Sequence, residues 1–281
     1  MILMHRYLLQ KGRSIGVFRN ELKTAWQHFL TYRPLVNELI RRDLKVKYRR
    51  SFLGYLWSLL NPLMMMIIMT VVFSYMFKSN IENFPMYLIC GNTLYNFFNE
   101  STTLAMYSVI QNSALIRKVY IPKFIFPFSR VLSSFVTMSF SLMAIAIVIL
   151  VTKSPVYWTI LLFWVPLLFL LLFSVGVGMI LSSLAVFFRD ITHLYGVLML
   201  AWMYMTPLFY PVDASILPAG VIRFMDFNPL YHMITFFRDV VMYGVLPGSA
   251  TWIGCIVSTV VALCAGLLVF GKAQKHFILY L

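Results

Sequence analysis

The chain is poor in charge and especially poor in acidic residues. Only 11% of its 281 residues are charged, and Asp and Glu together number 9. An ordinary soluble domain carries about 25% charged residues. Hydrophobic residues make up 61% of the chain. This composition excludes a single soluble core and predicts an all-α integral membrane protein.

Cysteine, histidine and paired carboxylates are also scarce. The 3 cysteines and 5 histidines are scattered without metal-ligand spacing, so we expect no metal site. No pair of facing carboxylates stands out as a catalytic acid and base. The apolar segments also lack the chain of Asp, Glu and His that proton-driven transporters use. Both an enzyme and a proton-coupled transporter are therefore disfavoured.

Long apolar runs dominate the rest of the sequence. A helix needs about 20 apolar residues to cross roughly 30 Å of hydrocarbon. We predict six transmembrane helices, near 56–77, 84–108, 126–151, 156–187, 191–212 and 249–270. The second is the weakest because asparagines and Glu100 interrupt it. The fourth is too long for a simple span, which indicates a kink at Pro166 or an end that projects into the cytosol.

Positive charge is concentrated on one side of this predicted bundle. Residues 41–50 alone hold six Lys or Arg, directly before the first span. In total, 19 of the 23 cations fall in the N-terminal 55 residues, two connections and the tail. The positive-inside rule therefore places both termini in the cytoplasm, and the outer connections carry the other 4. Anchoring at an anionic membrane face explains the net charge of +14, so we expect no nucleic-acid partner.

The N-terminal region 1–55 is patterned. Apolar residues recur at three- and four-residue steps, first over 15–29 and again from Val36 to Tyr48. Cations occupy the opposite side of each repeat. This pattern predicts amphipathic helices lying in the cytoplasmic membrane interface, and a small cytosolic helical hairpin is the alternative.

The connection 213–248, on the outer side, also has a helical pattern. Asn228 can cap a helix whose first residue is Pro229. An apolar stripe follows, with Arg238 and Asp239 at its edge. At about 15 residues the helix is too short to span the membrane. We predict short outer re-entrant helices between the fifth and sixth spans, sheltered by other protein.

Polar and aromatic residues inside the spans are the candidate substrate pathway. A charge at the bilayer centre costs about 2.5–3.5 kcal/mol, so Glu100 should face protein or water. The second span places amides and this carboxylate on one face, and the third carries Arg130 in line with Ser and Thr hydroxyls. The candidates are Asn92, Asn96, Asn99, Glu100, Arg130, Tyr195 and Trp202. Interhelical hydrogen bonding is the alternative for the amides, and core packing or interface belts for the aromatic residues.

One stretch imitates a nucleotide-binding loop. Residues 266–273 read GLLVFGKA, which matches Gly-x-x-x-x-Gly-Lys-[Ser/Thr] except at the last position. Ala273 lacks the hydroxyl that holds magnesium, and the stretch lies at the end of an apolar span rather than between a strand and a helix. We predict that this chain does not bind or hydrolyse ATP.

Four stretches together resemble a known family. They are YRRSFLGYLWSLLNP over 48–62, LIRKVYIP over 115–122, FRD over 188–190, and NPLY over 228–231 with FRD over 237–239. In this order they resemble the permease subunits of type-2 ABC exporters for polysaccharides, which handle O-antigen, capsule or teichoic acid chains. The matches run from about residue 40 to 245, and residues 1–35 carry none.

The resemblance implies a function and a set of partners. The chain would be the channel-forming subunit of an ATP-driven exporter of a lipid-linked polysaccharide across the bacterial cytoplasmic (inner) membrane. It would work as a homodimer with two separate ABC ATPase subunits, which bind ATP and magnesium. Residues 56–271 would form the permease domain and 272–281 a cytoplasmic tail. The ATPase-coupling residues would be Leu115, Ile116, Arg117, Lys118 and Tyr120, with Arg189 and Asp190 near a second contact.

Three alternatives stay open. The coupling segment would otherwise be an ordinary loop whose cations contact lipid headgroups. The exporter would otherwise carry a drug, a lipid or another small amphiphile. A membrane-bound glycosyltransferase or lipid-modifying enzyme would need carboxylates gathered at one membrane face, and the sequence offers only isolated Asp43 and Asp190 there.

Overall fold

The structure is a computed structural model that describes residues 32–49, 51–76, 81, 83–119, 121–212 and 218–280. The described residues form helices and loops, and no strand occurs among them. The helices are α1 (32–48), α2 (Leu56–Met76), α3 (Phe84–Gln111), α4 (Ser113–Lys118), α5 (Ile125–Thr152), α6 (Trp164–Phe187), α7 (Ile191–Met205), α8 (Ala219–Met225), α9 (Pro229–Arg238), α10 (Ser249–Ala273) and α11 (Phe277–Tyr280). A 3₁₀-helix (Trp158–Leu162) precedes α6, and a π-helical turn (Asp239–Tyr243) follows α9.

Four helices of the described residues are long and apolar enough to cross a membrane. They are Leu56–Phe73, Ile125–Thr152, Trp158–Phe187 and Ser249–Ala273. Helix α3 has 28 residues and is long enough, but its amides and Glu100 make it too polar to join them. Helix α7 is apolar but has only 15 residues. Among the described residues the all-helical fold is confirmed with four candidate spans, and the count of six spans stays a prediction.

The long helices pack antiparallel and create two distinct ends of the bundle. At one end, Lys123, just before α5, donates a 2.6 Å hydrogen bond to the carbonyl of Gln274, just after α10. At the other, Asn83, before α3, donates a 2.6 Å bond to Ser154, after α5. The first end also gathers α4, the 188–190 turn and α11, and we call it the cation-rich end.

Helices α6 and α10 approach closely because small residues meet at their crossing. A Cβ added at Gly266 would collide with the backbone of Gly176, and one added at Gly176 would collide with that of Ala262. Close approach at small residues is the usual way that membrane helices gain packing contact. The stretch 266–273 is helical throughout, so Gly266 serves helix packing in this fold.

Prolines set two helix boundaries. The predicted fourth segment divides at Phe163 into the 3₁₀-helix and α6, because the ring of Pro166 cannot fit over the carbonyl of residue 162 in a continuous α-helix. The helix of the predicted fifth segment, 191–212, is shorter in the structure than predicted. It ends at Met205 because Thr206 precedes Pro207 and adopts the extended backbone that a following proline favours.

Candidate functional site

A polar cavity opens between α1, α2, α3 and α5. It has a volume of about 340 Å³, and it adjoins a second space of about 390 Å³ nearer to α1. The two share Lys47, Glu100, Ser134 and Thr137 as lining residues. We call the first space the polar cavity. Beyond the shared residues it is lined by Tyr48, Trp57, Ser58, Asn61, Pro62, Thr93, Asn96, Phe97, Met138 and Ser141.

Two ion pairs connect α1 to its neighbours beside this cavity, and α1 supplies the cation of one pair and the carboxylate of the other. Lys47 of α1 lies 2.6 Å from Glu100 of α3, and Asp43 of α1 lies 3.0 Å from Arg130 of α5. Lys47 and Asp43 are four residues apart and therefore share one face of α1. The four side chains carry no net charge together. Glu100 is thus paired with a cation and is not exposed to lipid as a lone carboxylate.

The same ion pairs argue against the alternative that the protein is a membrane-bound enzyme. Asp43, isolated in sequence, lines the space next to the polar cavity together with Glu100, so the structure does bring two carboxylates to one place. Each is held by a cation, and each also accepts a hydrogen bond, from Ser133 and Ser134 respectively. A carboxylate committed in this way is poorly suited to take a proton from a substrate.

The structure divides the predicted pathway residues on α3. Asn96 and Glu100 line the polar cavity, and Arg130 lines the adjoining space. Asn92 instead faces the methionines of α2 across a gap with no room for water. Asn99 lies about 100° around the helix from Glu100 and accepts a bond from the nearby Thr103 hydroxyl. Asn92 therefore lies outside the polar cavity although it also faces α2, and Asn99 lies off the face that Asn96 and Glu100 share. The substrate-pathway role of these residues stays a prediction.

Tyr195 and Trp202 belong to a different space. They line an apolar cavity of about 310 Å³ between α7 and the α8–α9 segment. The hydroxyl of Tyr195 is buried 2.5 Å from the Thr102 hydroxyl, and the indole N–H of Trp202 donates to the Asn228 side chain at 2.9 Å. Both polar groups are satisfied inside the protein. The two aromatic residues therefore hold α7 in place and lie apart from the polar cavity.

The predicted coupling residues cluster at the cation-rich end. Leu115, Ile116, Arg117 and Lys118 form the short helix α4, in which Ile116 is buried and the two cations are exposed. Arg189 and Asp190 are exposed in the turn after α6. Tyr120 lies outside the described residues.

Neighbouring elements hold this end together. The Arg42 side chain of α1 donates to Asn112 at the start of α4, at 3.3 Å. Phe187, at the end of α6, packs on Phe277 and Tyr280 of α11. Lys123, between α4 and α5, lies partly buried above the Phe277 ring, and burial lowers the pKa of its ammonium group. The exposed cations of α4 and the 188–190 turn thus belong to an end of the bundle that side-chain contacts hold in place.

The predicted outer segment is anchored by two side chains. Asn228 caps α9, as predicted, by accepting from the Leu230 amide at 3.1 Å, and it also donates to the Thr206 hydroxyl. Arg238 is buried and donates to the carbonyls of Pro207 and Tyr87 at 2.9 and 3.0 Å. Its guanidinium also lies 3.4 Å above the Tyr87 ring.

Asp239, next to Arg238, is partly buried. Burial raises the pKa of its carboxyl to about 6, against the opposing charge of Arg238. Ion pairing does not hold Arg238, since no described carboxylate lies within salt-bridge distance of it. Backbone carbonyls and an aromatic ring do, which ties the ends of α3, α7 and α9 together.

Sequence reasoning missed several residues that line the polar cavity and the adjoining space. Asp43 and Lys47 looked like ordinary charges of an interfacial helix, although their four-residue spacing was visible. Trp57 and Asn61 also lie four apart, at the start of α2, and both face the cavity. Nothing in the sequence distinguishes Thr93 from the other hydroxyl residues of α3, so its place in the cavity could not be predicted.

Comparison with known proteins places the chain in a family. The family described as ABC-2 type transporter matches residues 34–242. The O-antigen export system permease protein RfbA of Klebsiella pneumoniae is 31% identical over 245 residues, which cover 85% of this chain and 92% of that protein. Its namesake in Myxococcus xanthus is 28% identical over 246 residues, covering 88% and 95%.

A more distant relative spans the chain equally well. The polysialic acid transport protein KpsM of Escherichia coli is 21% identical over 254 residues, which cover 88% of this chain and 96% of that protein. The family match includes nearly all of α1, the residues that line the polar cavity, α4 and α9, and it ends before α10. On this evidence the chain belongs to the ABC-2 type transporter family.

Proposed function

We propose that this protein is the membrane subunit of an ATP-driven exporter that moves a lipid-linked polysaccharide out of the cytoplasm. The observation that carries the proposal is that relatives matching most of the chain are named for O-antigen export, polysialic acid transport or capsule polysaccharide export. The polar cavity, enclosed by otherwise apolar helices, is compatible with a cargo rich in hydroxyl groups.

The proposed orientation puts the cation-rich end in the cytoplasm. Described Lys and Arg side chains are concentrated there, whereas the opposite end carries Lys153, Arg223 and Arg238. Helix α3 would span the membrane in spite of its polarity, since 28 residues extend about 42 Å. With α7 as a short span, the bundle would have six, and α8 and α9 would be the outer re-entrant helices.

The proposed partners are a second copy of this chain and two ATPase subunits. Helix α2 and much of α7 expose large apolar side chains, which suit contact with lipid or with the second copy. Helix α4 is the proposed docking element, because exposed Arg117 and Lys118 flank the partly buried Leu115. ATP and magnesium would be bound by the partner, and the chain itself would be no enzyme.

Deletion of the gene in its native host tests the function. We expect the surface polysaccharide to disappear and lipid-linked polymer to accumulate inside the cell, because synthesis would continue without export. The wild-type gene on a plasmid should restore the surface polymer. Normal surface polysaccharide in the deletion strain, with no intracellular polymer, would contradict the proposal.

A further inference from the structure

One hydroxyl in the polar cavity lacks a partner. The Thr93 side-chain oxygen is buried, and no described group forms a hydrogen bond with it. Threonines in helices commonly bond to the carbonyl four residues earlier, as Thr102 and Thr152 do here at 2.6 and 2.7 Å. Buried hydroxyl groups are rarely left unsatisfied, and Thr93 lines the cavity, which makes it a candidate partner for a ligand there.

Two amides beside Thr93 are available as well. Asn61 of α2 and Asn96 of α3 line the cavity with exposed side chains, and neither has a hydrogen-bond partner among the described residues. Each amide can donate and accept at once. The three groups therefore offer uncharged donors and acceptors in one place, which suits a ligand with several hydroxyl groups.

An aromatic surface adjoins these polar groups. Trp57 lines the cavity one helical turn before Asn61, and 44% of its surface is exposed. The flat C–H face of a sugar ring packs well on an indole. The volume of about 340 Å³ lies within the range of small-molecule sites.

Charge argues against a phosphate in the cavity. Lys47, which lines it, is already paired with Glu100, and Arg130 in the adjoining space is paired with Asp43. An anion that approached Lys47 would also meet the charge of Glu100, 2.6 Å away. The two cations and two carboxylates that line the two spaces cancel, and the further cation Arg42 pairs with Asp43 at 3.4 Å from outside them, so a neutral ligand is favoured over a lipid diphosphate.

We propose that the polar cavity of each protomer binds a neutral sugar unit of the exported polysaccharide, with Thr93, Asn61 and Asn96 as hydrogen-bond partners and Trp57 as a stacking surface. The proposal rests on the function proposed above and assigns a saccharide site to the interior of one chain. An isolated sugar unit should therefore bind without the lipid and without ATP.

Saturation-transfer NMR on the purified permease–ATPase complex tests the site. The probe is the mixture of mono- and disaccharides released by mild acid hydrolysis of the host's own surface polysaccharide, with inorganic pyrophosphate as competitor. We expect at least one sugar to bind, and pyrophosphate not to displace it. Thr93→Val should weaken binding about 3- to 10-fold, the loss of one neutral hydrogen bond, and Asn96→Leu should weaken it further.

Thr70→Val is the matched control. Thr70 of α2 also has a buried hydroxyl without a described partner, but it does not line the cavity, so its loss should leave sugar binding unchanged. The proposal is overturned if no sugar binds, if Thr93→Val and Asn96→Leu bind like wild type, or if pyrophosphate displaces the sugar. Any of these results in a host whose surface polymer still requires the permease would leave the exporter function standing.

Discussion

Gly176 and Gly266 have no side chains, and this allows helices α6 and α10 to approach closely. Helices α6 and α10 share an extensive contact, and their backbones meet where these two glycines lie. Neither residue is needed for backbone geometry, since both lie within regular helix. Their role is to have no side chain, so that the two backbones can touch.

Alanine at Gly266 should therefore destabilise the protein. A Cβ there meets backbone atoms of Gly176, which cannot rotate away, and overpacking of this kind costs about 1–3 kcal/mol. Gly271→Ala is the control, because a Cβ at Gly271 meets nothing within 4 Å and alanine favours a helix. Thermal unfolding of the purified variants measures both. Destabilisation by Gly271→Ala but not by Gly266→Ala would contradict this account and reopen the nucleotide-loop interpretation of 266–273.

Arg238 marks the limit of what sequence indicates about a single residue. Its position at the edge of an apolar stripe did not indicate that the side chain is buried. Its partners are carbonyls at Tyr87 and Pro207, 151 and 31 residues away. Carbonyl partners leave no pattern in the sequence, because every residue has a carbonyl group. The cap at Asn228 was predictable because its partner, the Leu230 amide, is local.

At the scale of elements, α1 connects three parts of the molecule. Arg42 reaches Asn112 at the start of α4, Asp43 pairs with Arg130 of α5, and Lys47 pairs with Glu100 of α3. A shift of α4 would therefore act on the helix that borders the polar cavity. The opposite charges of Asp43 and Lys47 favour this register of α1 against its neighbours.

Exchanging the charges of Lys47 and Glu100 tests this arrangement. Lys47→Glu alone and Glu100→Lys alone should each reduce polymer export and lower the melting temperature, because each brings like charges together. The double variant should recover most of both losses, since it rebuilds an attractive pair. Export assays and thermal unfolding in detergent measure the effects, which should weaken at high salt because both groups are partly exposed.

Lys45→Glu provides the control for this exchange. Lys45 lies on the same helix and is exposed, with no ion pair among the described residues, so its reversal should change little. If the double variant stays as impaired as the single ones, Lys47 and Glu100 do not act as a pair, and direct contact with cargo would explain their effects better.

Helix α4 carries the prediction about coupling. Leu115→Asp should leave the permease folded and inserted but reduce co-purification of the ATPase, because a charge would replace an apolar side chain at the proposed docking surface. Arg117→Ala should have a smaller effect, since an exposed rim charge mainly alters association rate and salt sensitivity. Pull-down with a tagged ATPase measures both. Wild-type recovery of the ATPase with Leu115→Asp would contradict the assignment.

The positions of the long helices and the polar face of α5 were predictable from the sequence. Which helices line one cavity together was not. Apolar length alone located α2, α5 and α10 within a few residues, and likewise the span Trp158–Phe187 that the 3₁₀-helix and α6 form together, because lipid imposes a minimum length on any span. The hydroxyl face of α5 also followed from its period and does line the cavity. That α1 and α2 would line the same cavity could not be foreseen, because it depends on how the two helices are placed relative to each other.

At the scale of the whole molecule, the described positive charges are concentrated at one of the two ends between which the chain alternates. The chain alternates between two ends, and the described Lys and Arg residues are concentrated at the end that holds α4, the 188–190 turn and α11. Burial of hydrophobic surface gives no preference for either orientation. The positive charges supply one, because they are retained on the cytoplasmic side during insertion.

Single cysteines at Lys118 and Lys153 test the orientation. In a background without Cys90, Cys255 and Cys264, Lys118→Cys should react with an impermeant maleimide only from the cytoplasmic side, and Lys153→Cys only from the outside. The measurement compares intact cells with inverted vesicles. Labelling of both positions from one side would refute the antiparallel alternation of α5 described here.

Transport by the reconstituted complex tests the central claim most directly. The permease and its ATPase are placed in liposomes, lipid-linked polysaccharide from the host is added outside, and its protection from a glycosidase is followed over time. The account predicts protection that requires ATP, the permease and the ATPase together. Hydrolysis of ATP without any protected polymer, or equal protection without ATP, would contradict the conclusion that this protein is the membrane subunit of a polysaccharide exporter.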